Sequence, residues 1–358
     1  MRRARQRWIG AALLGLGLAA LLAAHTWFFK PLSIDWFYAR TFARLALHNE
    51  SAELTRASLA TLLRYDRDTL DREGQLAYDT FDYVLSLRLE GEALRERRPL
   101  PGDAAYYAWC VRWHTGTELT PHQVHELGVA EVERLEARID DVASRRGLVK
   151  AETGAPAGSA RPWEPPFSGT GEIRRVGWDG SGLPMSLAGA TEPPRRTWAQ
   201  YAIREAAQGK ARAADFAAYR DGLALYAAHF AQQAGVSREP LEEIAQLRHA
   251  TESAALGVVD GGVHEQSWTR DQAQAYLLAH SILGAAAAAA AIEHLLAHPG
   301  QALAAPIGLR KIIELRDRAA IALGAQFDLG QFHRELLGHG ALPLGVLESA
   351  MDAWIARR

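Results

Sequence analysis

The feature that most restricts this chain stands at its beginning. Arg2, Arg3, Arg5 and Arg7 precede a run from Trp8 to Phe29 that holds no Asp, Glu, Lys or Arg. As a helix those residues extend about 33 Å at ~1.5 Å per residue, the length needed to cross a bilayer core. No face of the segment is polar, so a buried helix of a soluble domain does not fit. The arginines hold the N-terminus on the cytoplasmic side and send the bulk of the chain outside. Two readings compete. A cleaved signal peptide wants a shorter apolar stretch and a small-x-small exit, whereas this run leaves through Ala23-Ala24-His25-Thr26 into Trp27, Phe28 and Phe29. Those aromatics suit a membrane interface, so the uncleaved anchor is favoured and secretion after cleavage is the alternative. Residues 1–30 are read as anchor and 31–358 as the folded part.

Composition narrows the rest. Forty basic side chains balance 42 acidic ones, which gives no reason to expect nucleic acid. The only cysteine, Cys110, lies in the apolar context Tyr-Tyr-Ala-Trp-Cys-Val. No intramolecular disulfide or thiolate metal site is possible, and a buried small residue is the expected role.

From Ser33 to about Glu96 the pattern is helical, with Leu76, Phe81, Val84, Leu85 and Leu87 near i, i+3, i+4 spacing. Ala104 to Trp113 is an aromatic-rich helix. Thr120-Pro121-His122-Gln123 is a capping box with proline in the first turn, opening a helix to Ala143 along Val124, Leu127, Val132, Leu135 and Ile139. From Gly147 to Arg196 glycine, proline and serine are dense, which predicts an irregular stretch with one short strand at Glu172 to Trp178. Helices resume over Thr197 to Gln208, Ala211 to Gly235, Pro240 to Gly257, Thr269 to Ala279, Gly284 to Ala297, Ile307 to Leu323, Asp328 to Leu337 and Pro343 to Ala356. Thr269-Arg270-Asp271-Gln272 is a second capping box. The fold class is all-α, a single large helical domain behind the N-terminal helix.

Several ordered blocks then carry a resemblance. Tyr106 to Gly128 is one. Val258-Val259-Asp260-Gly261-Gly262-Val263-His264 with Trp268-Thr269-Arg270 is similar to a block V-V-D-T-G-x-H-x-x-x-W-[ST]-R. Pro299-Gly300-Gln301-Ala302-Leu303 with Ile307-Gly308 is similar to W-P-G-Q-A-L-x-Y-K-I-G, and Phe327-Asp328-Leu329 through Phe332-His333 to Leu344 resembles a closing block. Together they cover about residues 50–145 and 180–357 and resemble the bacterial family known as domain of unknown function 885.

Members of that family resemble helical zinc peptidases of the gluzincin kind. The resemblance implies a zinc helix H-E-x-x-P-G-H-H-x-Q and, about thirty residues later, E-G-W-A-L-Y. Two imidazoles and a carboxylate hold such a metal, and a glutamate takes a proton from its water. This chain departs at the chemical positions. The later motif stands as Asp221-Gly222-Leu223-Ala224-Leu225-Tyr226. Counting back without a gap puts the zinc helix on Thr191 to Gln200, where Glu192 and Gln200 match. Thr191 and Thr197 replace the histidines, Asp221 replaces the longer carboxylate, and Ala305-Pro306 replaces a Tyr-Lys pair that could donate to an oxyanion. The preceding Arg and Trp of that block align with His294 and His298. His264, Gln200 and Tyr226 would line a remnant cleft.

Other constellations are weaker. His294 and His298 share a helix face, which can present two imidazoles to one ion, but solvated or capping roles are commoner at that spacing. His264 is read as a structural hydrogen-bonding residue at a helix start or as a cleft residue. Glu192 by itself polarises no carbonyl. No nucleotide fingerprint stands out and no cofactor is implied. The leading reading is a non-catalytic, membrane-tethered relative of a helical metallopeptidase, offering a cleft to peptide or protein. A divergent anchored metallopeptidase with a different ligand set is the alternative, and a structural envelope protein a third. The anchor predicts that a reporter enzyme active only outside the cytoplasm, fused after Arg358, is active. High activity of a cytoplasm-only reporter at that position would contradict it.

Overall fold

A computed structural model describes residues 15–21, 25, 34, 37, 40, 41, 52–96, 103–145, 216–233 and 240–358. Every regular element among the described residues is α-helical or 3-10. The helices are α1 (Ala52–Leu62), α2 (Arg72–Glu96), α3 (Ala104–Thr115), α4 (Pro121–Arg145), α5 (Ala217–Gln233) and α6 (Pro240–His264). Then follow α7 (Arg270–His280), α8 (Ala285–Ala297), α9 (Ala304–Leu323), α10 (Leu329–Gly338) and α11 (Leu344–Ile355). The contacts divide the chain into two compact units, Met1–Glu96 and Arg97–Arg358.

In the first unit, α1 and α2 flank a 3-10 turn, Arg67–Thr69, whose Asp66 side chain accepts from the Asp68 N–H. The α2 stripe expected from spacing is buried at Leu76, Phe81, Val84, Leu85 and Leu87. Phe37 meets Tyr65 and Phe81 edge-on, with ring centroids 5.8 and 5.5 Å apart. Of the Trp8–Phe29 run only 15–21 and His25 are described. They are helical, and Leu16, Leu18 and Leu21 are exposed. Among the described residues no helix is long and apolar enough to cross a membrane.

The second unit is built on two long helix pairs, α4 along α6 and α5 along α9. Val132, Leu135, Ile139 and Val142 of α4 pack with Ile244, Leu247, Ala254, Val258 and Val259 of α6. Ala273 and Leu277 of α7 and Ala288, Ile292 and Leu295 of α8 join the same core. Both capping boxes form. The Gln123 side chain accepts from the Thr120 N–H at 2.9 Å while the Thr120 hydroxyl accepts from the Gln123 N–H at 3.2 Å. Thr269 and Gln272 exchange the same pair. On the surface Arg318 of α9 binds Glu314 at 2.6 Å and reaches Asp352 of α11 at 2.8 Å.

The helix that departs furthest from its expected end is α6. It runs to His264 rather than stopping at Gly257, so His264 ends a helix instead of starting one. Two consecutive glycines cost helix propensity, but here packing leaves no alternative. A Cβ on Gly261 would lie 2.9 Å from Nδ1 of His125, and one on Gly262 would overlap the Trp268 ring. The helix expected at Thr197 to Gln208, the strand at Glu172 to Trp178 and the stretch Gly147 to Arg196 lie outside the described residues.

The α5–α9 crossing is closer still. A Cβ on Gly222 would overlap the Gly308 backbone, and a Cβ on Gly308 would overlap the Ala218 carbonyl oxygen. Backbone atoms cannot step aside as a side-chain end can, so the two helices meet only where both residues lack a side chain. Gly308→Ala should therefore cost roughly 2 kcal/mol or more, at the upper end of overpacking. Gly338→Ala, with open space at its Cβ, should change stability by less than about 1 kcal/mol. Denaturant midpoints of the two variants check this.

Candidate functional site

Thr191, Glu192, Thr197 and Gln200 lie outside the described residues. The later motif, Asp221 to Tyr226, lies on α5 among the described residues. Asp221 sits on α5 with both carboxylate oxygens on the neighbouring Arg220, at 2.8 and 3.1 Å. Tyr226, further along α5, is fully buried and donates its hydroxyl hydrogen to Nε2 of His333 over 2.9 Å. Burial holds that phenol up at about 12 and pushes His333 down to about 4, so the imidazole is neutral and Nε2 is free to accept. Phe230 closes on the His333 ring edge-on at 5.2 Å. Tyr226 is thus a packing residue of the α5–α9–α10 region. Ala305 lies in the first turn of α9, where the following proline is tolerated.

His264 belongs to a different group, centred on Asp260. This aspartate is fully buried. Its two oxygens accept the Gly300 N–H at 3.1 and 2.9 Å, and the nearby Ala302 N–H and Tyr107 hydroxyl favour its charged form. Gly300 has φ +80°, and a Cβ there would lie 3.0 Å from the Cys110 carbonyl carbon and oxygen. Only glycine combines that conformation with that approach. The His264 ring stacks on Tyr107 with centroids 5.0 Å apart and donates from Nε2 to the Leu295 carbonyl at 3.0 Å. One turn back, His125 of α4 donates from Nδ1 to the Val258 carbonyl at 3.0 Å and meets Trp268 edge-on at 5.7 Å. Burial lowers both His264 and His125, so neither brings a positive charge to the aspartate.

Desolvation raises Asp260 to about 7, against the pull of its backbone and phenol donors. The donors favour the carboxylate and the apolar surroundings oppose it. The arrangement clamps α3, α6 and the turn before α9 together, and its hydrogen-bonding capacity is used inside the protein. It does not suit a metal either. His264 Nε2 lies 3.9 Å from Asp260 but carries the proton given to Leu295. His294 and His298 stack at 4.3 Å, with His298 Nδ1 donating to the His294 carbonyl and His294 Nε2 donating to Gln301. Among the described residues no group of three His, Cys, Asp or Glu side chains could hold a metal ion.

The described surface does carry a cleft that sequence reasoning did not single out. Val124, Leu127 and Gly128 of α4, Ala254 and Gly257 of α6, and Leu303, Pro306 and Ile307 at the start of α9 line it, with Glu131 and Arg310. It is small, with about 20 Å³ of space for a water-sized group. A signal for it was present: Gly128 and Gly257 interrupt two otherwise good helices, and Leu127, expected in the α4 stripe, is only half-buried.

Asp260→Ala leaves the buried Gly300 N–H without its acceptor and removes the group that joins α6 to the turn before α9. At roughly 1–3 kcal/mol for a buried orphan, it should lower unfolding stability by about 1–3 kcal/mol. Asp260→Asn isolates the titration. The folded carboxyl is raised from 3.8 to about 7, so between these values the folded state binds more protons than the unfolded one. Its contribution is present below about pH 4 and lost as pH rises toward 7. The stability of the parent protein minus that of Asp260→Asn should fall over that window and then level off, as followed by denaturant titration at each pH.

Comparison with known proteins follows this architecture. A crystal structure of a candidate lipoprotein from Colwellia psychrerythraea is similar with a TM-score of 0.56 at 21% identity, over 94% of this chain and 72% of that one. A candidate lipoprotein of unknown function from Shewanella oneidensis is similar with a TM-score of 0.53 at 13% identity, over 90% of this chain and 73% of that one. At these identities the likeness is one of fold. A search of curated proteins finds no match. The family described as "Bacterial protein of unknown function (DUF885)" matches residues 89–161 and 198–351. That is more than half of the sequence, and the chain belongs to this family.

Proposed function

We propose that this protein is a non-catalytic, membrane-tethered relative of helical zinc peptidases, which keeps their helical shell as a scaffold for binding peptide or protein. The observation that carries the reading is what has survived in Asp221-Gly222-Leu223-Ala224-Leu225-Tyr226. Gly222 and Tyr226 stand where packing needs them, at the α5–α9 crossing and against His333. Asp221, the position that would hold metal, is engaged by Arg220. Thr191 and Thr197 would bring neutral hydroxyls where such sites use imidazole. The donor set therefore does not fit zinc, and no hydrolytic step is derived for it.

Tethering rests on Arg2, Arg3, Arg5, Arg7 and the Trp8–Phe29 run, with the folded part, 31–358, on the extracytoplasmic side. The fold neighbours are described as candidate lipoproteins, which agrees with an envelope location. The single cysteine here, Cys110, is buried in α3, so the apolar run is the feature that supports attachment.

The test is elemental analysis of the full-length protein purified in detergent from zinc-supplemented cells, with cleavage assays on mixed peptides. Far less than one zinc per chain and no chelator-sensitive cleavage are expected. About one zinc per chain, lost together with activity on chelation, would overturn the reading in favour of a divergent metallopeptidase.

A further inference from the structure

We propose that the cleft between α4, α6 and the start of α9 binds the C-terminal residue of a peptide or protein chain, taking a carboxylate at Arg310 and a small aliphatic side chain on its floor. The inference deepens the peptide-binding part of the pseudoenzyme reading without resting on the loss of zinc, since none of its residues is a metal-ligand position and only Pro306 falls on a departed family position.

Charge points to the carboxylate. On α9, Lys311 binds Glu314 and Glu348, each at 3.1 Å, and Arg318 is enclosed by Glu314, Glu348 and Asp352. Arg310, at the cleft mouth, is exposed and has no ion-pair partner among the described residues. The acid on the same cleft, Glu131, is already bound by both guanidinium arms of Arg134, at 2.8 and 2.6 Å. The mouth thus carries one uncompensated positive charge, and a guanidinium is suited to a carboxylate fork.

Size and polarity point to the rest. Val124, Leu127, Leu303 and Ile307 make the walls apolar, and the space of about 20 Å³ takes one or two methyl groups of a side chain but not an aromatic ring. At Gly257 the floor is already close to Leu303: an added Cβ would lie 3.3 Å from its Cδ2, tighter than ordinary contact, so a methyl there would crowd the cleft. Because Arg134 occupies Glu131, no acid remains for a free ammonium. That favours an acylated residue, as at a chain terminus, over a free amino acid. Alanine or valine as the last residue meets all three conditions.

The probe is N-acetyl-L-valine, followed by ligand-observed saturation-transfer NMR on the full-length protein in detergent. An ~11-atom ligand on an open site should bind with a Kd on the order of millimolar. The valine methyl protons should receive the strongest saturation. Arg310→Gln, an exposed change that leaves the fold intact, should weaken binding about tenfold or more, as should replacing the probe by N-acetyl-L-valine amide. Gly257→Ala should weaken it severalfold by filling the floor. Equal binding of the amide, parent-like binding by Arg310→Gln, binding of free L-valine as strong as that of the acetylated probe, or no saturation transfer at about 10 mM would each overturn the proposal. Zinc in the purified protein would overturn the reading of the previous section and leave this one standing.

Discussion

The second unit of this protein depends on a carboxylate buried without a cation. Asp260 lies near the end of α6, and the backbone N–H of Gly300, in the turn that follows α8, reaches back to it. That turn starts α9. Fixing it fixes the line on which Pro306 and Ile307 meet the cleft and Gly308 meets α5. A buried ionisable group normally sits beside its counter-charge, because removing it from water costs several kcal/mol. Here peptide dipoles and a phenol supply the compensation. They also specify geometry in a way that a mobile lysine would not.

The same economy explains which motif residues this chain retains. Gly300 is required by a positive φ and by the Cys110 backbone, Gly261 and Gly262 by two aromatic rings, and Gly222 and Gly308 by each other. Each allows an approach that a single methyl would block, and close-packed interiors transmit that misfit as strain. The polar members of the motifs are likewise turned inward. Tyr226 and His333 satisfy one another, and His264 and His125 cap carbonyls of neighbouring helices while burial keeps them neutral. These residues therefore report on helix packing before they report on chemistry.

Function accordingly has to be sought where polar groups remain unspent. Much of the described surface is tied up in ion pairs such as Arg270 with Glu293, at 2.6 Å, and Arg138 with Glu243, at 3.0 Å. Exposed pairs of this kind add little stability, but they neutralise the surface locally. At Arg310 a cation outside such pairs stands beside apolar walls, and recognition sites combine those two properties.

Sequence by itself determined the all-helical class, both capping boxes and the buried stripes of α2 and α4. Those features rest on interactions within a few residues: 3.6-residue periodicity and side chains reaching N–H groups three positions away. The importance of Asp260, Gly300 and Gly308 was visible only as pattern, because their partners stand far off in the chain. Asp260 meets Gly300 forty residues on, and Tyr226 meets His333 across 107 residues. The extension of α6 through Gly261-Gly262 to His264 shows the limit most plainly. Local propensity ends the helix at Gly257, and tertiary packing against His125 and Trp268 carries it on. The cleft at Arg310 was marked in the sequence only by Gly128 and Gly257, and the space itself exists only once three helices distant in sequence have packed.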